Sequence, residues 1–152
     1  MSSTDMPELV AKRLGYALKR AQHALRVSMD EALRPLELTT PQYAVLSAVE
    51  AEAGLSNARL ARAAFVTAQA MQGVLANLER DALLQRRPDP NHGRVLRSEL
   101  TARGRHVLAK AHLAVRVVED RMVASFGQAD AARLASSLSK CADDLNVKDT
   151  TP

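Results

Sequence analysis

The 152-residue chain has no tryptophan, two tyrosines and two phenylalanines, so aromatics make up only 3% of it. A sheet sandwich leans on aromatic and β-branched side chains, and that stock is small here. The single cysteine, Cys141, excludes a disulfide framework within the chain and a cysteine-based zinc cluster. His23, His106 and His112 offer no pair of metal ligands one helical turn apart, and no acidic residue is spaced to complete a site. No metal and no cofactor is therefore expected. Cys141 falls on an apolar helical stripe and reads as a small core residue rather than a nucleophile. With no other catalytic constellation in view, an enzyme is not expected. No apolar run approaches the roughly 18 residues of a membrane span, and the opening MSSTDMPELV lacks the apolar stretch of a signal peptide. The expectation is a soluble, cytoplasmic protein with no membrane partner.

What is abundant is alanine, leucine and arginine. A chain that is 47% hydrophobic yet nearly free of aromatics favours helices packed through small contacts. Its length suits one domain over residues 1–152. Basic residues outnumber acidic ones by 21 to 17, giving a net charge of +4. Most of that excess is local. Residues 54–100 hold Arg59, Arg62, Arg80, Arg86, Arg87, Arg94 and Arg97 against Glu79, Asp81, Asp89 and Glu99, a net of +3. So mild an excess is compatible with a nucleic-acid partner and does not require one.

Along the chain, residues 1–6 should be disordered. Leu14, Leu18, Ala21, Leu25, Met29 and Leu33 then step by three or four, predicting one amphipathic helix over residues 7–34, opened by Pro7 and stopped by Pro35. Thr40 is the expected cap of a helix running to about Glu52, with Tyr43, Leu46 and Val49 inward and Gly54 closing it. Residues 55–84 read as two short helices with a tight turn at Phe65-Val66. Ser56 caps the first, whose stripe is Ala58, Leu60, Ala61 and Ala64. Thr67 caps the second, whose stripe is Met71, Val74, Leu75 and Leu78. That second helix turns outward a small, uncharged face of Ala68, Gln69, Gln72, Gly73 and Ala76. Small residues permit close approach, and glutamine pairs bidentately with adenine in the major groove.

Leu83 to Arg87 reads as a strand, Pro88 to Gly93 as a turn-rich loop and Arg94 to Leu100 as a returning strand. Thr101 caps a long helix striped by Val107 or Leu108, Ala111, Val115, Val118, Met122 and Phe126, with Gly127 as its stop. A last helix from about Ala129 carries Ala131, Leu134, Leu138, Cys141 and Leu145, and the tail from Asn146 should be loose. Three long apolar stripes exceed what one small unit can cover, and a twofold homodimer would bury the surplus.

The order helix, helix, strand, loop, strand, helix resembles the MarR family (multiple antibiotic resistance regulators) of winged helix-turn-helix proteins. The likeness rests on Leu38-Thr39-Thr40-Pro41-Gln42-Tyr43-Ala44-Val45-Leu46, Leu60-Ala61, Val66-Thr67, Leu78-Glu79-Arg80, Arg86-Arg87-Pro88-Asp89-Pro90 and Leu100-Thr101 followed by Gly104. It spans residues 8–147. It implies a mainly α fold with a two-stranded β-wing, a DNA-binding unit over residues 38–100, and dimerisation helices over residues 7–35 and 101–147. The implied function is a transcriptional regulator, a repressor in the usual case, that holds a pseudo-palindromic operator in double-stranded DNA and releases it to a small aromatic or phenolic effector. Gln69 and Gln72 would read bases, with Ala68 and Gly73 allowing approach. Ser56, Asn57 and Thr67 would meet phosphate at helix N-termini, and Arg86 and Arg94 would serve the wing. In such proteins small aromatic acids bind where the first helices join the winged unit. Tyr16, His23 and Tyr43 lie there, with Lys19, Arg20 or Arg26 for countercharge.

The sequence also departs from that pattern. His92 stands where the family has aspartate and Gly93 where a basic residue is usual, which predicts a looser, less positive wing. Ala82 replaces a glycine at the end of the recognition helix, so that turn should differ. The recognition helix carries no Lys or Arg before Arg80. The first helix lacks the cysteine of the peroxide-sensing branch, which excludes thiol sensing of that kind. The plain alternatives are a solvated turn arginine at Arg94, surface filling at the glutamines and core roles for the two tyrosines. The rival function is a dimeric protein-interaction adaptor with a degenerate winged helix.

Overall fold

Thr39 rather than Thr40 sets where the first helix of the middle segment begins. Its hydroxyl accepts from the Gln42 N–H at 3.3 Å, while the Gln42 amide oxygen accepts from the Thr39 N–H at 2.9 Å. This reciprocal box needs Gln three residues after the cap, which moves the start one residue ahead of expectation. The Thr40 hydroxyl donates instead to Asp30 at 2.7 Å, fastening this helix to the one before it. The computed structural model describes residues 7–146. The expected loose ends, residues 1–6 and 146–152, lie outside them except for Asn146, whose N–H donates to the Ala142 carbonyl at 2.9 Å.

The described elements are α1 (Glu8–Ala11), α2 (Leu14–Leu33), a 3-10 turn (Arg34–Leu36), α3 (Thr40–Ala51), α4 (Asn57–Ala63), α5 (Ala68–Arg80), β1 (Leu84–Pro88), β2 (Leu96–Leu100), α6 (Ala102–Val123) and α7 (Gly127–Leu145). The helix expected over residues 7–34 is therefore two. Arg13 is extended, with φ −71° and ψ 135°. A glycine inside a helix costs about 1 kcal/mol. The break moves Gly15 from an interior position to a first turn, and the exposed Leu9 offers no packing to hold α1 in line. Gly127, expected to stop α6, opens α7 instead, at φ 79°.

The chain divides after Val118 into two compact units. In the first, Leu33, Leu38, Val45, Leu46, Val49, Leu60, Met71, Leu75, Leu78 and Leu108 form the centre of one core. Each fully buried side chain of this kind contributes roughly 1.5–3 kcal/mol. The expected inward stripes of α3 and α5 are those buried, except that Tyr43 and Val74 are only half-buried. The α2 stripe behaves differently. Leu33 is buried and Met29 packs on the core, but Leu14 and Leu18 are exposed. In the second unit α7 buries none of its residues. Cys141 is half-buried there, so it is a stripe residue and not part of the core. No helix among the described residues is long and apolar enough to cross a membrane.

The strands pair antiparallel in the register Leu84 with Leu100, Arg86 with Ser98 and Pro88 with Leu96. Both differ slightly from the expected spans. Arg94 and Val95 fall in the loop, because the Asp89 N–H donates to the Val95 carbonyl at 2.8 Å and closes the ladder there.

Candidate nucleic-acid interface

The caps expected for α4 and α5 are both present. Ser56 accepts from the Arg59 N–H at 3.3 Å, and Thr67 accepts from the Ala70 N–H at 3.1 Å. Each hydroxyl thus satisfies one free N–H of its first turn and leaves others facing out. Leu60 and Ala61 anchor α4, and Met71, Leu75 and Leu78 anchor α5. With that face fixed, helical geometry turns Ala68, Gln69, Gln72, Gly73 and Ala76 to solvent, and all five are exposed. A β-carbon built on Gly73 meets nothing within 4 Å. The face is open, neutral and rigidly backed.

The turn between these helices is a left-handed close. Phe65 has φ 54°, and the Val66 N–H reaches back to the Ala61 carbonyl at 3.0 Å. The same device ends α5. Ala82 adopts φ 57°, and the Leu83 N–H donates to the Leu78 carbonyl at 2.9 Å. Ala82, at the position where the family has glycine, takes the left-handed conformation. The Thr101 hydroxyl holds it, donating to the Ala82 carbonyl at 2.6 Å while accepting from the Gly104 N–H at 2.9 Å. Gly104 itself has no room for a side chain, since a β-carbon there would lie 1.9 Å from the Leu83 carbonyl oxygen. One Thr-x-x-Gly step thereby locks the end of α5 to the start of α6.

Arg86, expected among the DNA contacts, is engaged elsewhere. Its Nε donates to Glu79 of α5 at 2.7 Å, with side chains 25% and 35% exposed. The pair brackets the wing to the helix, so Arg86 serves position before contact. Arg94 is exposed in the loop and forms no ion pair among the described residues. At the wing tip the Asp89 carboxylate accepts from the Asn91 N–H at 2.8 Å. The His92 carbonyl takes part through its backbone, accepting from the Val95 N–H at 2.8 Å.

Of the effector candidates, Tyr43 is fixed by a contact that sequence reasoning missed. Its hydroxyl lies 2.9 Å from His112 Nδ1, and His112 Nε2 lies 2.8 Å from a Glu50 carboxylate oxygen. The two rings meet edge to face at 5.5 Å. Tyr43 and Glu50 are seven residues apart on α3, hence on one face, and that spacing was the available signal. Among the described residues no cluster of three His, Cys, Asp or Glu side chains is placed to hold a metal ion. Tyr16 is half-buried on α2, where Arg20 and His23 are exposed.

A sequence model of the MarR family matches residues 36–95. The HTH-type transcriptional repressor Rv2887 of Mycobacterium tuberculosis is 42% identical over 111 residues, covering 73% of this chain and 80% of the relative. The crystal structure of Rv2887 with salicylic acid superposes with a TM-score of 0.71 at 36% identity, covering 91% of this chain and 98% of that one. The repressor CouR bound to a 23-mer DNA duplex gives a TM-score of 0.81 at 30% identity, covering 89% and 96%. With helix caps, left-handed turns and wing in place, the chain belongs to the MarR family of winged helix-turn-helix transcriptional regulators.

Proposed function

We propose that this chain is a DNA-binding transcriptional regulator, acting in the cytoplasm as a homodimeric repressor and without enzymatic activity. The observation that carries the reading is the exposed, uncharged face of α5 on a buried Met71, Leu75 and Leu78 footing. Gln69 and Gln72 read base edges, Ala68 and Gly73 let the helix approach, and Ser56, Asn57 and Thr67 present N-terminal N–H groups to phosphate. Arg94 enters the minor groove from the wing, and Arg86 holds the wing in register. CouR, seen on a DNA duplex, supports this assignment.

Residues 38–100 form the DNA-binding unit of one family domain, while the helices over residues 7–35 and 101–147 join two copies. The exposed Leu14, Leu18 and Val27 of α2 and Leu134 of α7 support that role. Two recognition helices related by a dyad meet successive major grooves of a pseudo-palindrome about one helical turn apart. A small phenolic acid near Tyr16, Arg20, His23 and Tyr43 favours a spacing that does not fit DNA. It lowers affinity by its differential binding to the two states. Rv2887 with salicylic acid supports the ligand class.

The test is recovery of a duplex from a random-sequence library, followed by a salt titration and addition of salicylic acid. A linear fall of log affinity with log salt, together with release by salicylic acid, is expected. Failure to recover any duplex overturns the regulator and favours the adaptor.

A further inference from the structure

We propose that Phe65 is a specificity residue, its ring packing on the 5-methyl group of a thymine at the edge of the major groove. The inference rests on the DNA-binding reading above. Phe65 is 95% exposed, more than any other large apolar side chain among the described residues. Its backbone lies at φ 54°, a region that crowds a β-carbon and that glycine enters freely. The ring is not needed for the turn. The Phe65 N–H donates to the Arg62 carbonyl at 3.2 Å, the Val66 N–H donates to Ala61, and Val66 supplies the apolar contact with the core. Fold alone would favour glycine here. An exposed aromatic held in a strained conformation is the mark of a residue kept for a contact outside the chain.

Its place indicates which contact. The other exposed large apolar residues lie on or beside α1, α2, α6 and α7, or in the wing at Val95 and Leu96. Phe65 stands apart from these, two residues before the Thr67 cap of α5, so it enters the groove's edge whenever Gln69 approaches a base. The side chains of Ala63, Ala64, Val66 and Ala68 around it are small or apolar and uncharged. The thymine methyl is the apolar feature of the major groove, and phenylalanine is among the side chains that recognise it.

The probe is the duplex selected by the parent dimer from a random library. Phe65→Gly suits the backbone and should fold at least as well, yet bind that duplex about tenfold more weakly with an unchanged salt slope. Phe65→Leu, still apolar, should lose about threefold or less. Replacing thymine by uracil in the duplex should weaken the parent and leave Phe65→Gly nearly unaffected. Equal binding by the parent and Phe65→Gly overturns the proposal, as does a Phe65→Gly penalty that persists undiminished on the uracil duplex. Loss of the dimer in sedimentation of Phe65→Gly would assign the ring to a protein contact and also overturn it. A parent that selects no duplex would instead overturn the DNA reading, and this inference with it.

Discussion

Replacing Gly104 with alanine should unfasten the recognition helix from α6. The added β-carbon would lie 1.9 Å from the Leu83 carbonyl oxygen and 2.9 Å from its carbon, where ordinary contact begins at 3.4 Å. The start of α6 must withdraw by about 1.5 Å (3.4 minus 1.9), because the obstacle is backbone and cannot rotate away. Withdrawal stretches two bonds that meet at this point, from the Thr101 hydroxyl to Ala82 at 2.6 Å and from the Thr101 N–H to Leu83 at 3.2 Å. Two such bonds contribute about 0.5–1.5 kcal/mol each. Overpacking of a tight site adds about 1–3 kcal/mol. Alanine's better helix propensity returns at most about 1 kcal/mol. The net expectation is a loss of about 3 kcal/mol, read as a lower urea midpoint at a fixed protein concentration, since a dimer's midpoint depends on concentration. An unchanged or higher midpoint would refute the reasoning.

Gly73→Ala should do the opposite to stability, raising it by about 1 kcal/mol because the site is open, while weakening DNA binding through lost approach on the recognition face. Gln69→Ala or Gln72→Ala should cost about 1–3 kcal/mol on the selected duplex and little on random DNA, measured by fluorescence anisotropy. Arg86→Ala should lower the urea midpoint and weaken DNA binding together, since Glu79 loses its partner and the wing its bracket; an effect confined to affinity would make Arg86 a phosphate contact instead. Removing residues 128–152 should convert a sedimenting dimer to monomer or aggregate, and a stable folded monomer from the full chain would contradict the dimer.

Local chemistry was the most legible part of this sequence. Ser56 and Thr67 were readable as caps because a hydroxyl before an apolar period has one local partner to meet. Thr39 and Thr40 compete for the same task, and the choice depended on which one places Gln42 at the third helical position. The left-handed conformation of Ala82 was not legible locally, because glycine is the easiest left-handed residue but not the only one. What decides is tertiary: the Thr101 hydroxyl, 19 residues on, holds the turn in shape. The Arg86–Glu79 contact joins a strand to a helix, and no single periodicity reports it; the seven-residue spacing puts Tyr43 and Glu50 on one face of α3 but does not report His112, which comes from α6. The break at Arg13 lies where helix-forming residues surround it, so apolar spacing alone overruled the glycine nearby.

The distribution of arginines sets how the interface divides its work. Seven lie in residues 54–100, but Arg59, Arg80, Arg86 and Arg87 already face Glu52, Asp81, Glu79 and Glu99. The count of seven arginines therefore overstates what the segment offers phosphate. Arg62 and Arg94 are exposed without an acidic partner among the described residues, while Arg97 lies over Gly54 with its Nε buried. Two free arginines per subunit, each meeting one phosphate, give a dimer four such contacts and a log–log salt slope of about −3.6. Affinity at physiological salt must then draw more on the neutral face of α5 than on charge. Arg94→Ala should reduce the slope by nearly two in the dimer, one for each wing, and weaken selected and random duplexes alike. Arg87→Ala should reduce it by less, because Glu99, 3.9 Å away, partly offsets that charge. A slope near −7 for the parent would mean that DNA displaces the carboxylates from their arginines, and the ion pairs described for the free protein would not survive in the complex.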